Sequence, residues 1–180
     1  KPKSATFRTS DVVGIDTLVK VATNNYNSCP DDEQREIMVI PDFVNKLVEN
    51  NWLGDKTGQG FYKKTKDSKG KTEILSLDLN TLEYRAAQKG KFATLELTKS
   101  IDNVADRFKV LVNGKDKAGT FYRKTLAALF GYITHRIPEI ADELYKIDDA
   151  MKAGFGWENG PFEIWDAIGV EKGIEIMKTE

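Results

Sequence analysis

Few side chains in these 180 residues could do chemistry by themselves. They are one histidine, His135, one cysteine, Cys29, and the neighbouring carboxylates Asp148 and Asp149. A lone histidine excludes a His-based metal site, and as the base of a nucleophilic triad it would need a serine or thiol partner that the sequence does not place nearby. Its position toward the end of a long helical stretch suits a structural role, because a helix C-terminus favours a partly charged imidazole. Cys29 lies in a polar loop beside Pro30, with no second cysteine or basic cluster to tune a thiolate. One cysteine also excludes an internal disulfide and a Cys-cluster zinc site. Adjacent residues on a helix diverge by about 100°, so Asp148 and Asp149 do not form a shared acid/base pair.

Two glycine-rich stretches invite a nucleotide reading and fail it. GDKTGQG, residues 54–60, has Lys56 and Thr57 ahead of its later glycines, whereas a phosphate loop needs them after. GFGWENG, residues 154–160, has a second gap one residue too long for a dinucleotide fingerprint and follows a helix instead of a strand. It reads as a turn that lets two helices approach. The lysines between Lys56 and Lys71 are interrupted by Asp67 and read as a solvated turn. A formal net charge of −1 gives no reason to expect nucleic acid or an anionic membrane as partner. No apolar run approaches the ~20 residues of a membrane span, and the cysteine usage suits a reducing, cytoplasmic setting. Lys1 is not a natural start residue, so a fragment of a longer protein is expected.

With 40% hydrophobic and 31% charged residues the chain can bury a core. Its elements are organised around a candidate internal repeat. FRTSDVVGID, from Phe7, and FEIWDAIGVE, from Phe162, align at a constant offset of 155, pairing Asp11 with Asp166 and Gly14 with Gly169. Pro161 suits a first helical turn, Glu163 a capping box, and Gly169 a left-handed stop, so a helix over 161–168 should turn sharply into another over 172–178. The first copy gives a short helix to Val13, a corner at Gly14 and Ile15, and a helix from Asp16 with Leu18, Val19 and Ala22 on its apolar side. Phe43, Val44, Leu47 and Val48 predict an amphipathic helix from Pro41 to about Asn51. Alternation predicts one β-hairpin, 61–65 with 73–77, as the only sheet. Beyond it the pattern predicts a helix from Leu95 to about Asn113, a long one from Ala118 to Arg136, one from Pro138 through Tyr145, and one over 146–153 ended by Gly154. The class is all-α with that one small hairpin in the middle.

The stretches PKSATFRTSDVVGIDTLVKVA, FVNKLVENNWLGDKTGQGFYKK and DDAMKAGFGWENGPFEIWDAIGVEKGIEIM carry a resemblance. The first two resemble the latter part of the C-terminal helical domain of the 3-hydroxyacyl-CoA dehydrogenases of fatty-acid β-oxidation, and the third the first part of a second copy. The resemblance implies repeated helical domains like the 6-phosphogluconate dehydrogenase C-terminal domain: 1–64 the end of one repeat, 65–117 a connector with hairpin and helix, 118–180 the start of the next. It implies a long, multifunctional-type parent that oxidises (3S)-3-hydroxyacyl-CoA with NAD, bound by an N-terminal domain outside this sequence that also supplies the catalytic His and Glu. No cofactor, metal or catalytic residue falls in this segment. The family's Asn on the first helix of the domain would correspond to about Arg123, beside Lys124 and Thr125, a departure that implies a non-catalytic second copy. Lys3, Ser4 and Phe7 are the residues implied to lie beside substrate. The implied partners are the NAD-binding domain, acyl-CoA and a homodimer mate, with no nucleic acid and no membrane span. The competing readings are a stand-alone helical protein-interaction module and a hydrolase built on His135 or Cys29.

Overall fold

The computed structural model describes residues 5–88 and 90–180. They form two compact units, divided at the same point of the chain.

In the first unit, α1 (Thr6–Val13) runs into α2 (Ile15–Ser28) with Gly14 alone between them. Gly14 has φ 106° and ψ 125°, a conformation essentially restricted to glycine, and its amide donates to the Ser10 carbonyl at 2.9 Å. The positive φ was expected, but the extended ψ is not the left-handed helical conformer; it redirects the chain at once, so α2 starts at Ile15. Of the apolar side expected for α2, Ala22 is buried and Val19 packs on the core, whereas Leu18 is exposed. Ile15, whose burial is complete, takes the place anticipated for it.

Pro41 lies just ahead of α3 (Asp42–Glu49), and the stripe read from the sequence packs as anticipated, with Val44 and Leu47 buried and Phe43 and Val48 against them. The expected hairpin is a three-stranded antiparallel meander: β1 (Tyr62–Lys66), β2 (Thr72–Leu77) and β3 (Tyr84–Ala86). Tyr62 pairs with Ser76 and Lys66 with Thr72 across the first turn, and Leu77 with Tyr84 across the second. The Asp67 carboxylate accepts the amides of Lys69 and Lys71 at 2.8 and 2.9 Å, closing the first turn. In the second, Asp78 accepts the amides of Asn80 and Thr81, and Leu82 takes a positive φ of 58°. The core holds Ile15, Val44, Leu47, Phe61 and Leu77.

The second unit is helical throughout its regular structure: α4 (Ala93–Leu97), α5 (Val104–Asn113), α6 (Lys117–His135), α7 (Leu144–Phe155), α8 (Pro161–Ile168) and α9 (Val170–Thr179). The single helix anticipated over 95–113 is two, because Asn103 adopts an extended backbone and caps α5 by accepting the Asp106 amide at 3.1 Å. No helix starts at Pro138; the next begins at Leu144 and continues past Gly154 to Gly156, whose φ of 63° and ψ of 32° end it. Glu163 caps the start of α8 as anticipated, accepting the Gly160 amide at 2.9 Å, while its own amide goes to Asp148 because Gly160 has no side chain to complete a capping box. Phe130, Val112, Leu126, Ile133, Ile164 and Ile176 make the core.

Asp116 ties two elements of this unit together, accepting the amides of Thr94 (2.9 Å) and Gly119 (3.0 Å). The Thr94 bond, followed by that of Gly119, holds its carboxyl below the ordinary 3.8. Its folded pKa is therefore below the unfolded one, and its contribution to stability is present above 3.8 and lost as pH falls through the folded value. Asp116→Asn should melt below the unaltered chain at pH 7, with the gap closing under acid. A gap that stays constant from pH 7 to pH 2.5 in thermal melts would refute this role.

Candidate functional site

The first unit concentrates its polar contacts where α1 meets the GDKTGQGFY segment. Asp11 faces inward from α1 with 1% of its surface exposed and receives two amides, Phe61 at 2.8 Å and Tyr62 at 2.9 Å. This close approach explains two glycines. A Cβ on Gly54, where φ is 100°, would stand 2.2 Å from the Asp11 carbonyl oxygen, and one on Gly60 would stand 2.2 Å from Asp11 Oδ1. Either would push the loop off the helix.

Around this latch, Arg8 makes a two-pronged bond to Asp55 at 2.6 and 2.7 Å, Lys56 pairs with Asp16, and the Tyr84 hydroxyl donates to the Gly60 carbonyl at 2.7 Å. The Phe7 ring sits 4.7 Å from that of Phe61. Burial pushes the Asp11 carboxyl up from its ordinary value, opposed by the two amide bonds and by Arg8. The Tyr84 phenol is pushed up to about 12 by burial, with the charge of Asp11 adding to it. Both oxygens of Asp11 are committed to the loop, so this carboxylate fixes the shape of the cluster.

The second unit holds a related device. Asp148 on α7 is buried and accepts the amides of Phe162 (2.8 Å) and Glu163 (3.2 Å) at the start of α8. A Cβ on Gly160 would lie 2.3 Å from the Asp148 side chain, so the glycine-rich turn does let two helices approach. Lys152 joins them through Glu163 at 2.6 Å. Arg123 donates to Glu180 at 2.6 Å and to the carbonyls of Gly114 (2.6 Å) and Val112 (3.2 Å), tying α6 to the end of α5 and to the last residue.

The sequence-derived site residues fare unevenly. Lys3 and Ser4 lie outside the described residues. Phe7 is 42% exposed beside the latch. His135 ends α6 on the surface, and Cys29 is an exposed free thiol just after α2. Among the described residues no group of three or more His, Cys, Asp and Glu side chains is placed to hold a metal ion, and no helix is long and apolar enough to cross a membrane. Sequence reasoning missed Asp11 and Asp148 as buried acceptors; the glycine density flanking both docking points was the available signal.

The backbone of the two corners corresponds at the separation of 155 in helix length, in glycine conformation and in several hydrogen bonds. α1 (6–13) and α8 (161–168) have equal length, and Gly169, with φ 95° and ψ 134°, repeats the conformation of Gly14. The Thr9 amide donates to Ala5 and that of Ile164 to Gly160, both at 2.9 Å; the Leu18 amide donates to Gly14 at 3.1 Å and that of Gly173 to Gly169 at 3.0 Å.

Residues 2–64, which contain α1, α2, α3 and the latch, match the family 3-hydroxyacyl-CoA dehydrogenase, C-terminal domain. That segment belongs to this family. The whole chain is similar to longer proteins as well: 46% identical over 178 residues to a probable 3-hydroxyacyl-CoA dehydrogenase of Bacillus subtilis (strain 168), covering 99% of this chain. It is 36% identical over 174 residues (93% of this chain) to the fatty acid oxidation complex subunit alpha of Psychrobacter sp. (strain PRwf-1), and 25% identical over 177 residues (98%) to a putative fatty acid oxidation complex trifunctional enzyme of Rickettsia prowazekii (strain Madrid E). The chain spans about a fifth of the length of these curated relatives, 22%, 21% and 23% respectively. No solved structure matches it. The Asp11 latch is thus a feature of a 3-hydroxyacyl-CoA dehydrogenase C-terminal domain.

Proposed function

We propose that this chain is the C-terminal helical portion of an NAD-dependent (3S)-3-hydroxyacyl-CoA dehydrogenase of fatty-acid β-oxidation. It shapes the acyl-CoA cleft and a packing or dimer interface and is not catalytic alone. The observation that carries the reading is the family match over the segment built around Asp11, with similarity to dehydrogenases extending over 99% of the chain. NAD, and the His and Glu that would move the hydroxyl proton, belong in this reading to an N-terminal domain of the same polypeptide. The two glycine corners are read as tandem copies of one domain, the second without a catalytic role because Arg123 serves as a clamp.

Within the parent, Phe7 borders the acyl or thioester end of the substrate. Nearly half its surface is exposed, so contact with an acyl chain would bury an area worth about 1–1.5 kcal/mol. Phe7→Ala in the parent should raise KM for 3-hydroxyacyl-CoA roughly tenfold with kcat nearly unchanged. The assay is NADH formation from (3S)-3-hydroxybutyryl-CoA and longer homologues. No turnover by the 180-residue chain and robust turnover by the parent support the reading, whereas a parent inactive on every chain length refutes it.

A further inference from the structure

Between Tyr62 and Ser76 the first unit carries five lysines against two carboxylates, Asp67 and Glu73. In sequence they read as a solvated turn, and the net charge of −1 over the whole chain hides their excess. The strand register sorts them by face. Lys64 stands opposite Ile74 and Lys66 opposite Thr72, and all four are exposed on one side of the sheet. Lys63, Thr65 and Leu75 alternate onto the other side, where they are half-buried and the Lys63 amine lies 5.3 Å from the centre of the Tyr84 ring. Glu73, opposite Thr65, goes with them. The Asp67 carboxylate accepts the amides of Lys69 and Lys71, whose side chains are left exposed at the tip. Among the described residues, Lys64, Lys66, Lys69 and Lys71 enter no ion pair. Arg85, across from Ser76 on the open side, is matched by Asp78 at 3.1 Å.

Lysines on an edge strand deter pairing with a foreign strand. That role accounts for Lys64 and Lys66 on β1, but not for Ile74, which sits on the central strand β2 and is 58% exposed. Reading of nucleic-acid bases calls for exposed aromatic rings, and the ring on this side, Tyr62, packs on the core. An open aliphatic side chain among long basic stems matches a lipid boundary, which is anionic at its surface and apolar just beneath. We infer that Lys64, Lys66, Lys69, Lys71 and Ile74 form a docking surface for an anionic lipid bilayer. The ammonium groups meet the headgroup phosphates, while Ile74 and the lysine stems enter the boundary with the acyl chains. The attachment is peripheral and salt-sensitive. It goes beyond the dehydrogenase reading and does not depend on it.

The experiment is flotation of the 180-residue chain with vesicles of phosphatidylcholine alone or of roughly 2:1 phosphatidylcholine and phosphatidylglycerol. The chain should bind the anionic vesicles, ignore the neutral ones and come off when salt is raised from about 0.1 M to about 1 M. A lysine near an anionic surface contributes about fivefold in affinity, so Lys64→Gln combined with Lys66→Gln should weaken binding roughly twenty-five-fold. Ile74→Ser should weaken it about fivefold by removing apolar area. All three side chains are exposed, so the melting temperature of each variant should match that of the unaltered chain. No flotation with anionic vesicles, or equal flotation of the variants and the unaltered chain, overturns the inference. So does a loss confined to the lysine variant, with Ile74→Ser unaffected and the same lysines needed for binding heparin or duplex RNA, a pattern that marks a general polyanion site instead of a lipid one.

Discussion

Asp11→Ala should unfold the first unit well before the second. The substitution leaves the amides of Phe61 and Tyr62 buried without an acceptor. Hydrogen bonds to charged groups contribute ~1.5–3 kcal/mol each, and the alanine also removes the cost of burying a carboxylate, so the net loss should be about 2–4 kcal/mol. For a unit of this size that corresponds to a fall of roughly 10–25 °C in melting temperature. Amide exchange along a thermal ramp reads the units separately: residues 7–62 should lose protection early, while α8 and α9 keep theirs. Asp11→Asn retains one acceptor and should lose about half as much. Acid should not mimic the substitution. Burial raises the folded carboxyl above its unfolded value, so the folded form holds the proton more tightly and Asp11 adds no acid lability as pH falls. Loss of protection confined to the loop, with α1 and α2 unaffected, would show that the latch fastens the loop without supporting the unit.

What could be read from the sequence depended on how locally each feature is specified. Pro161, Glu163 and Gly169 lie within nine residues of one another and each acts on its immediate neighbours, so α8, the Glu163 cap at its start and the corner were legible. Gly14 and Gly169 were legible as positive-φ positions, although not in their extended ψ, which is set by where the second helix must go. Gly154 drew attention as a helix stop, yet a Cβ there would meet nothing within 4 Å and the stop falls at Gly156; nothing in the sequence ranks two glycines so close together. β3 was invisible because three residues carry little periodicity and its turn is built from the Asp78 side chain and a positive φ at Leu82. Asp11 and Asp148 were read as ordinary helical carboxylates. Their partners lie 50 and 14 residues away, and only folding brings buried amides to them. Composition excluded a His-based metal site and a Cys-cluster zinc site and gave no reason to expect nucleic acid, but the close approach that Gly54 and Gly60 permit needed coordinates.

The second large effect is expected at Trp165. Its ring stacks on Phe130 at 4.8 Å and 14° and lies parallel to Phe162 at 6.3 Å, and its Nε1 donates to the Val170 carbonyl at 3.1 Å across the corner. Because the ring is only partly buried, Trp165→Ala should cost about 3 kcal/mol, the low end for a large aromatic, with a fall of roughly 15 °C for the second unit. α9 can lie so near only because position 173 is glycine: a Cβ there would stand 2.0 Å from Trp165 Nε1. The first corner solves the same geometry differently, with Ser10 and Leu18 at the corresponding positions, so the bulk sits on the second helix instead of the first. This pairing sets a sharper test than either residue alone. Trp165→Ser should be strongly destabilising and Gly173→Leu should also be, by overpacking against the indole. Combined, they should recover at least half of the summed loss, a coupling of about 2 kcal/mol in a double-mutant cycle read by urea denaturation. Strict additivity would mean that the two corners, alike in backbone, do not share a packing rule. It would confine their equivalence to the chain path through Gly14 and Gly169.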